Sequence, residues 1–174
     1  VALKAVSGIY GKYLKNPYLR VCVAGCLVIG ITMLLGTGDY MGAGNELIAR
    51  AVEQGKARPL DFLWKMILTA ITMRAGYLGG EIVPAVSVGA TFGCVAGGLL
   101  GFSPEVAAAA SMVALFCGVT NCPIASMLIS FELFGFSGAA YYLIAISISY
   151  ALSGYYSLYK DQTIVYSKYK ARYI

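Results

Sequence analysis

The chain has 174 residues, of which 59% are hydrophobic and only 12% charged, with a mean hydropathy of +0.75. A soluble core of that length cannot hide so much apolar surface, so lipid is the expected solvent for much of it. The 13 Lys and Arg against 8 Asp and Glu give a net charge of +5; it gathers in residues 4–20, 46–65 and 160–172, as in polar ends and loops flanking membrane segments, and makes no basic face for nucleic acid. The absence of histidine removes imidazole acid–base chemistry and most zinc chemistry.

Taken from the N-terminus, residues 1–20 have no hydrophobic stretch followed by a small-residue cleavage site and do not read as a signal peptide; they fit the tail of a helix that begins upstream. Apolar runs follow at Val21–Gly36, Leu60–Ala75, Ile82–Gly101, Val106–Val119, Cys122–Gly135 and Ala139–Ser153. A straight crossing needs about 20 apolar residues, and only one run reaches that length. Short runs separated by GDYMGAG, GFSPE, TNCP and FGFSG predict tilted or partly spanning helices, tolerated at membrane depth where their ends face a cavity. The second run carries Lys65 and Arg74. In the third, Gly89, Gly93, Gly97 and Gly101 recur every four residues and predict one small-residue stripe for close helix packing. Cys22, Cys26, Cys94, Cys117 and Cys122 are odd in number and lack C-x-x-C spacing, so they read as reduced thiols packed as small apolar residues, with no metal site. Near the C-terminus, Asp161 or Thr163 would cap a last helix with Tyr166, Tyr169 and Tyr173 on one face and Lys168, Lys170 and Arg172 pointing elsewhere. An interfacial tail anchored by tyrosines and lysines is the plain reading of Tyr169 and Tyr173. No fixed-period repeat is visible within the chain.

The stretch GYLGGEIVP, residues 76–84, is the odd element. Gly79 and Gly80 keep side chains out of the way, and Pro84 fits a first helical turn, where its missing N–H costs little. Together they describe a helix that starts abruptly with the N–H groups of residues 80–83 free. In a low-dielectric interior such an end attracts anions. The alternative is an ordinary helix start capped by Glu81. An ionisable group at membrane depth is a functional candidate by default, so Glu81 is either a proton carrier or a structural cap.

With GGEIVP opening a glycine-striped helix, TNCPIASMLISFEL after a short loop and IVYSK near the C-terminus, the chain resembles the second half of CLC-type anion channels and transporters, over nearly its whole length. In that family a G-x-F-x-P motif opens a helix whose amides bind the permeating anion; here it is Gly80-Glu81-Ile82-Val83-Pro84, with Ile82 in place of phenylalanine. Pro123 to Glu132 matches a proline-led helix ending in an acid, and Tyr166-Ser167 matches a tyrosine whose hydroxyl meets the central anion. The resemblance implies an anion site made by Gly80, the amides of Glu81 and Ile82, a further amide from Val83, and the Tyr166 hydroxyl. All are neutral donors, which suits conduction, since a full positive charge would hold the anion too tightly.

It implies one membrane domain over residues 1–174, an all-α integral membrane bundle forming the C-terminal half of an inverted repeat, without cofactor or metal. The G-S-G-I-P-type and G-x-E-x-P motifs of the family's first half are missing from the sequence, as expected of a C-terminal part. Partners would be chloride or fluoride, protons, lipid and a second copy of the chain, with the first apolar segment and the Cys122–Ser153 pair at the dimer interface, in a bacterial plasma membrane. Glu81 is unusual for chloride-selective members and resembles the fluoride/proton antiporter branch. Arg74 is unexpected beside the site, whereas Lys65 fits a basic position on its helix and would snorkel to water. The expected function is proton-coupled anion antiport with fluoride favoured. The alternatives are a passive chloride channel or a non-transporting fragment. An enzyme is the least expected reading, since no nucleophile–base pair can be assembled without His and no cofactor motif is present.

Overall fold

The computed structural model describes residues 16–155, 157–159, 162 and 168. Among these the chain is helical, without strands: α1 (Pro17–Leu35), α2 (Asn45–Glu53), α3 (Asp61–Ala75), α4 (Ile82–Leu100), α5 (Pro104–Thr120), α6 (Pro123–Phe134) and α7 (Ala139–Leu152). Each apolar run of the sequence becomes a helix. The starts of α1, α5 and α6 coincide with prolines, which fit a first turn, and the Asn16 side chain caps α1 by accepting from the Tyr18 N–H at 3.0 Å.

Two helices, α1 and α4, are long and apolar enough to cross a membrane. The 12 to 17 residues of α5, α6 and α7 extend only about 18–26 Å at 1.5 Å per residue, short of a ~30 Å hydrocarbon layer. Their hydroxyls turn back on their own helices, as in Thr120 to the Phe116 carbonyl and Ser126 to the Cys122 carbonyl, so few side-chain donors are left unbonded in apolar surroundings. Ser149 is different: it donates across the helix pair to the Ala114 carbonyl of α5 at 2.5 Å, beside Gly118.

The helices pack in a chain of neighbours, α1 on α3, α3 and α2 on α4, α4 on α5, and α5 on both α6 and α7. The glycine stripe forms the tightest of these contacts. A methyl group on Gly93 would overlap the Ala107 carbonyl of α5. One on Gly97 would meet the Ala107 Cβ at 2.5 Å, and one on Gly89 the Ser111 carbonyl oxygen at 2.9 Å. Gly101 departs from the expected stripe. It has open space around it and φ of +77°, and it ends α4 as a left-handed cap, so its register with the other three reflects helix termination and not packing.

One helix was not expected. α2 falls in the charged region 46–65, and its apolar residues occupy one face: Leu47 and Ala51 are buried, while Glu46 and Glu53 are exposed. Arg50 pairs with Asp39 at 2.7 Å, the ion pair found among the described residues.

Lys65 does not snorkel. It is 1% exposed, and its Nζ donates to the carbonyls of Gly42 (2.7 Å) and Tyr40 (3.1 Å). One turn earlier on α3, buried Asp61 accepts from the Tyr40 hydroxyl (2.6 Å) and the Arg58 N–H (2.9 Å). The two charges thus clasp the 40–44 turn onto α3. Gly44, at φ +88°, is part of this fit, since any Cβ there would sit 2.8 Å from the Lys65 Cε.

Candidate functional site

The chain between α3 and α4 runs through Gly76 to Gly80 without regular structure, and α4 begins at Ile82 with Pro84 buried in its first turn. A proline at this position cannot supply a donor, and the first hydrogen bond of the helix is that of the Ala85 N–H to the Glu81 carbonyl at 3.2 Å. The N–H groups of Gly80, Glu81, Ile82 and Val83 find no acceptor among the described residues. Four unbonded donors therefore lie at or next to the positive end of a 19-residue helix. Glu81 occupies the N-cap position but makes no side-chain capping bond, so of the two readings of this residue the structural cap is not the one adopted.

Two cavities flank this helix start. One, of about 400 Å³, is walled by Gly79, Gly80 and Val83 together with Thr69, Thr72 and Tyr77. Gly42 and Ala43 also line it, so the turn clasped by Lys65 forms part of its wall. The other, of about 210 Å³, is lined by Glu81 in otherwise mostly apolar company: Met66, Ala85, Val88, Leu115, Val119 and Leu158. Thr69 and Pro84 belong to both, so the helix start is the partition between them. The first combines open glycine backbone with the hydroxyls of Thr69, Thr72 and Tyr77; those of Thr72 and Tyr77 already donate to the carbonyls of Leu68 and Val21, so the glycine backbone is what it offers a small anion. The second places one carboxylate among mostly apolar side chains.

Of the residues singled out from the sequence, Gly80 and Val83 line the larger cavity, Glu81 lines the smaller one, and Ile82 is half-buried and lines neither. Tyr166, with Asp161, Thr163, Tyr169 and Tyr173, lies outside the described residues. Arg74 sits in the last turn of α3, where a cation complements the carbonyl end of the helix, and its buried Nε has no hydrogen-bond partner among the described residues. Thr69, Thr72 and Tyr77 were not singled out. Nothing in their spacing marks them, because they reach the cavity only through the packing of α3 on α4.

Leu158, beyond α7, also belongs to this region. The Leu158 N–H donates to the Val119 carbonyl of α5 at 2.9 Å, and both residues line the Glu81 cavity. Lys168, read from the sequence as pointing away from the tyrosine face, has its Nζ bonded to Asn121 Oδ1 (2.5 Å), the Tyr150 carbonyl (2.9 Å) and Ser153 Oγ (2.9 Å), and 4.1 Å from the centre of the Tyr150 ring.

Comparison with known proteins places this arrangement. The chain is 33% identical over 156 residues to a chloride/fluoride channel protein of Pseudomonas syringae pv. tomato, covering 86% of this chain and 34% of that protein. It is 25% identical over 151 residues to an uncharacterized protein of Methanocaldococcus jannaschii, covering 84% of this chain and 38% of that one. The crystal structure of a CLC-type fluoride/proton antiporter superposes with a TM-score of 0.85 at 30% identity, over 93% of this chain and 41% of that one. The chain thus spans a little over a third of the length of the relatives it matches. The profile of the family described as voltage gated chloride channel matches residues 1–154, and the chain belongs to that family, with the CLC fold.

Proposed function

We propose that this chain is the C-terminal part of a CLC-type membrane transporter that exchanges anions for protons, with fluoride favoured over chloride. The observation that carries the reading is the start of α4: four unbonded amides between a glycine-rich cavity and an apolar cavity containing Glu81. The amides of Gly80, Glu81, Ile82 and Val83, completed by the Tyr166 hydroxyl, hold the anion; Glu81 carries the proton. Neutral donors bind a halide strongly enough to strip its water and weakly enough to release it. Glu81, surrounded by hydrocarbon on its other side, gives the proton a path that the anion, excluded by the same hydrocarbon, does not share.

Both halves of the inverted repeat are required for a pore, so the transporting unit is the longer protein, working in lipid as a homodimer in a bacterial plasma membrane. The exposed apolar side chains of α6 and α7, among them Ile124, Leu128, Ile144 and Ile148, suit a lipid- or partner-facing surface. A passive chloride channel is the second reading, favoured by the name of the Pseudomonas syringae relative. The two differ in proton flux. In vesicles containing the full-length protein, an imposed fluoride gradient should drive protons uphill; anion flux with protons at equilibrium throughout would select the channel.

A further inference from the structure

We propose that Tyr77 is a positioning residue for the anion site: its hydroxyl, seated on the backbone of α1, holds the connector whose glycines meet the larger cavity. The role in anion binding rests on the function proposed above, but the seat itself does not.

Between the last residue of α3 and Glu81 the chain runs through Gly76 to Gly80, all exposed. The first two are tied to the helix they leave: the N–H groups of Gly76 and Tyr77 both donate to the Thr72 carbonyl, the latter at 3.4 Å. The N–H groups of Leu78, Gly79 and Gly80 have no acceptor among the described residues. Gly79 and Gly80 nevertheless line the cavity of about 400 Å³, and Gly80 supplies one of the four free amides. What reaches this stretch from outside is the Tyr77 side chain. Its hydroxyl donates to the Val21 carbonyl of α1 at 3.2 Å, and the same residue lines the cavity beside the two glycines.

Gly25 makes that carbonyl accessible. Helical side chains lean toward the N-terminus, so the residue at i+4 covers the carbonyl of residue i. A Cβ on Gly25 would sit 3.0 Å from the Tyr77 hydroxyl, too close unless the tyrosine moved. A glycine inside the 19-residue α1 costs helix stability, and here its lack of a side chain is what admits the tyrosine. Beside this seat, Arg20 Nε donates to the Ala75 carbonyl (3.0 Å), one of those at the end of α3 without a partner in the helix, and Ala24 packs against Ala75. These contacts fix the end of α3 on α1 independently of Tyr77. The tyrosine adds the position of the residues that follow, and so the path by which the glycine backbone enters α4.

The test uses the full-length protein in detergent. Tyr77→Phe keeps the ring and removes the hydroxyl, Gly25→Ala leaves Tyr77 intact and fills its seat, and a third protein carries both. Amide hydrogen exchange at residue 77 reads the seat, and fluoride binding by calorimetry reads its consequence. Each single variant should speed that exchange by about fivefold, the effect of losing one neutral hydrogen bond, with exchange in α4 unchanged and the thermal midpoint not lowered. Fluoride affinity should fall by about the same factor. The double variant should be no worse than either single one, because both break one contact, whereas two unrelated structural defects would add. Unchanged exchange in Tyr77→Phe, or additive effects in the double variant, overturns the seat. Faster exchange with wild-type fluoride affinity overturns the role at the site. A wild-type protein that binds no fluoride would overturn the anion reading of the α4 start and this role with it, while the exchange measurement still decides the seat.

Discussion

Gly93 on α4 and Ala107 on α5 meet backbone to backbone, so closely that a methyl group on Gly93 would overlap the Ala107 carbonyl. Gly93→Ala should therefore push the two helices apart and cost about 1–3 kcal/mol, the usual penalty of overpacking, and Gly93→Leu should prevent assembly. Gly98, on the same helix with open space around it, is the control: its replacement by alanine should be neutral or stabilising by up to about 1 kcal/mol. Gly101→Ala should cost about 1 kcal/mol for a different reason, its left-handed backbone. Thermal midpoints and monodispersity in detergent would separate the three. Equal effects at Gly93 and Gly98 would refute the helix contact.

The clasp of Lys65 on the carbonyls of Tyr40 and Gly42 leads to a second prediction. Lys65→Met removes a buried charge, whose desolvation is costly, along with two hydrogen bonds, so the global stability should change little. The 40–44 turn, however, loses its attachment to α3, and its amides should exchange faster by about tenfold. Lys65→Arg should fail to restore protection, because Lys65 is 1% exposed and lies so close to Gly44 that even a Cβ there would sit 2.8 Å from its Cε, leaving no room for the larger guanidinium. Full protection of the turn in either variant would show that the Asp61–Tyr40 bond suffices.

Asp39 and Arg50 supply a pH dependence outside the membrane helices. The hydrogen bond from Arg50 is the main reason that the Asp39 carboxyl titrates below its ordinary 3.8, partly opposed by burial. A folded value below the unfolded one means that the pair stabilises fully above the unfolded value and loses this as pH falls through the folded one. The contribution is about 0.5–1 kcal/mol, as befits a partly exposed pair. Asp39→Asn should remove the pair's share of the acid sensitivity of α2, so that between pH 5 and pH 3 (about one unit either side of the ordinary carboxylate range) the variant loses less stability than wild type. Identical acid titrations of exchange in α2 would contradict this.

How much of this was legible before the fold was known follows from what each feature depends on. Pro104 and Pro123, Gly36 and Gly101 delimit helices through local backbone physics, so runs and punctuation located six of the seven helices among the described residues. α2 escaped because an amphipathic helix with Leu47 and Ala51 on one face has no apolar run. Its 3.6-residue periodicity was the available signal. The bare amides of residues 80–83 were also local and readable. Thr69, Tyr77, the Lys65 clasp and the seat of Lys168 were not, because each joins residues 15 to 47 positions or more apart, or faces a cavity that exists only once α3 and α4 pack. A lysine in a tyrosine-rich tail looks interfacial until the helix ends that receive it are known.

Glu81 offers the sharpest test of the site, because its backbone and side chain have separate proposed duties. Glu81→Gln leaves the four amides in place and removes only the carboxyl group. Proton movement coupled to fluoride should be lost, while passive fluoride flux through the full-length protein persists. The sign of the affinity change is also fixed: taking away a carboxylate beside an anion site removes repulsion wherever that group is charged, so fluoride should bind as tightly as before or more tightly. Calorimetry on the variant, with proton flux measured in vesicles under a fluoride gradient, checks both. Weaker fluoride binding would mean that the side chain itself holds the anion, as a protonated donor. Intact coupling would assign the proton to another group.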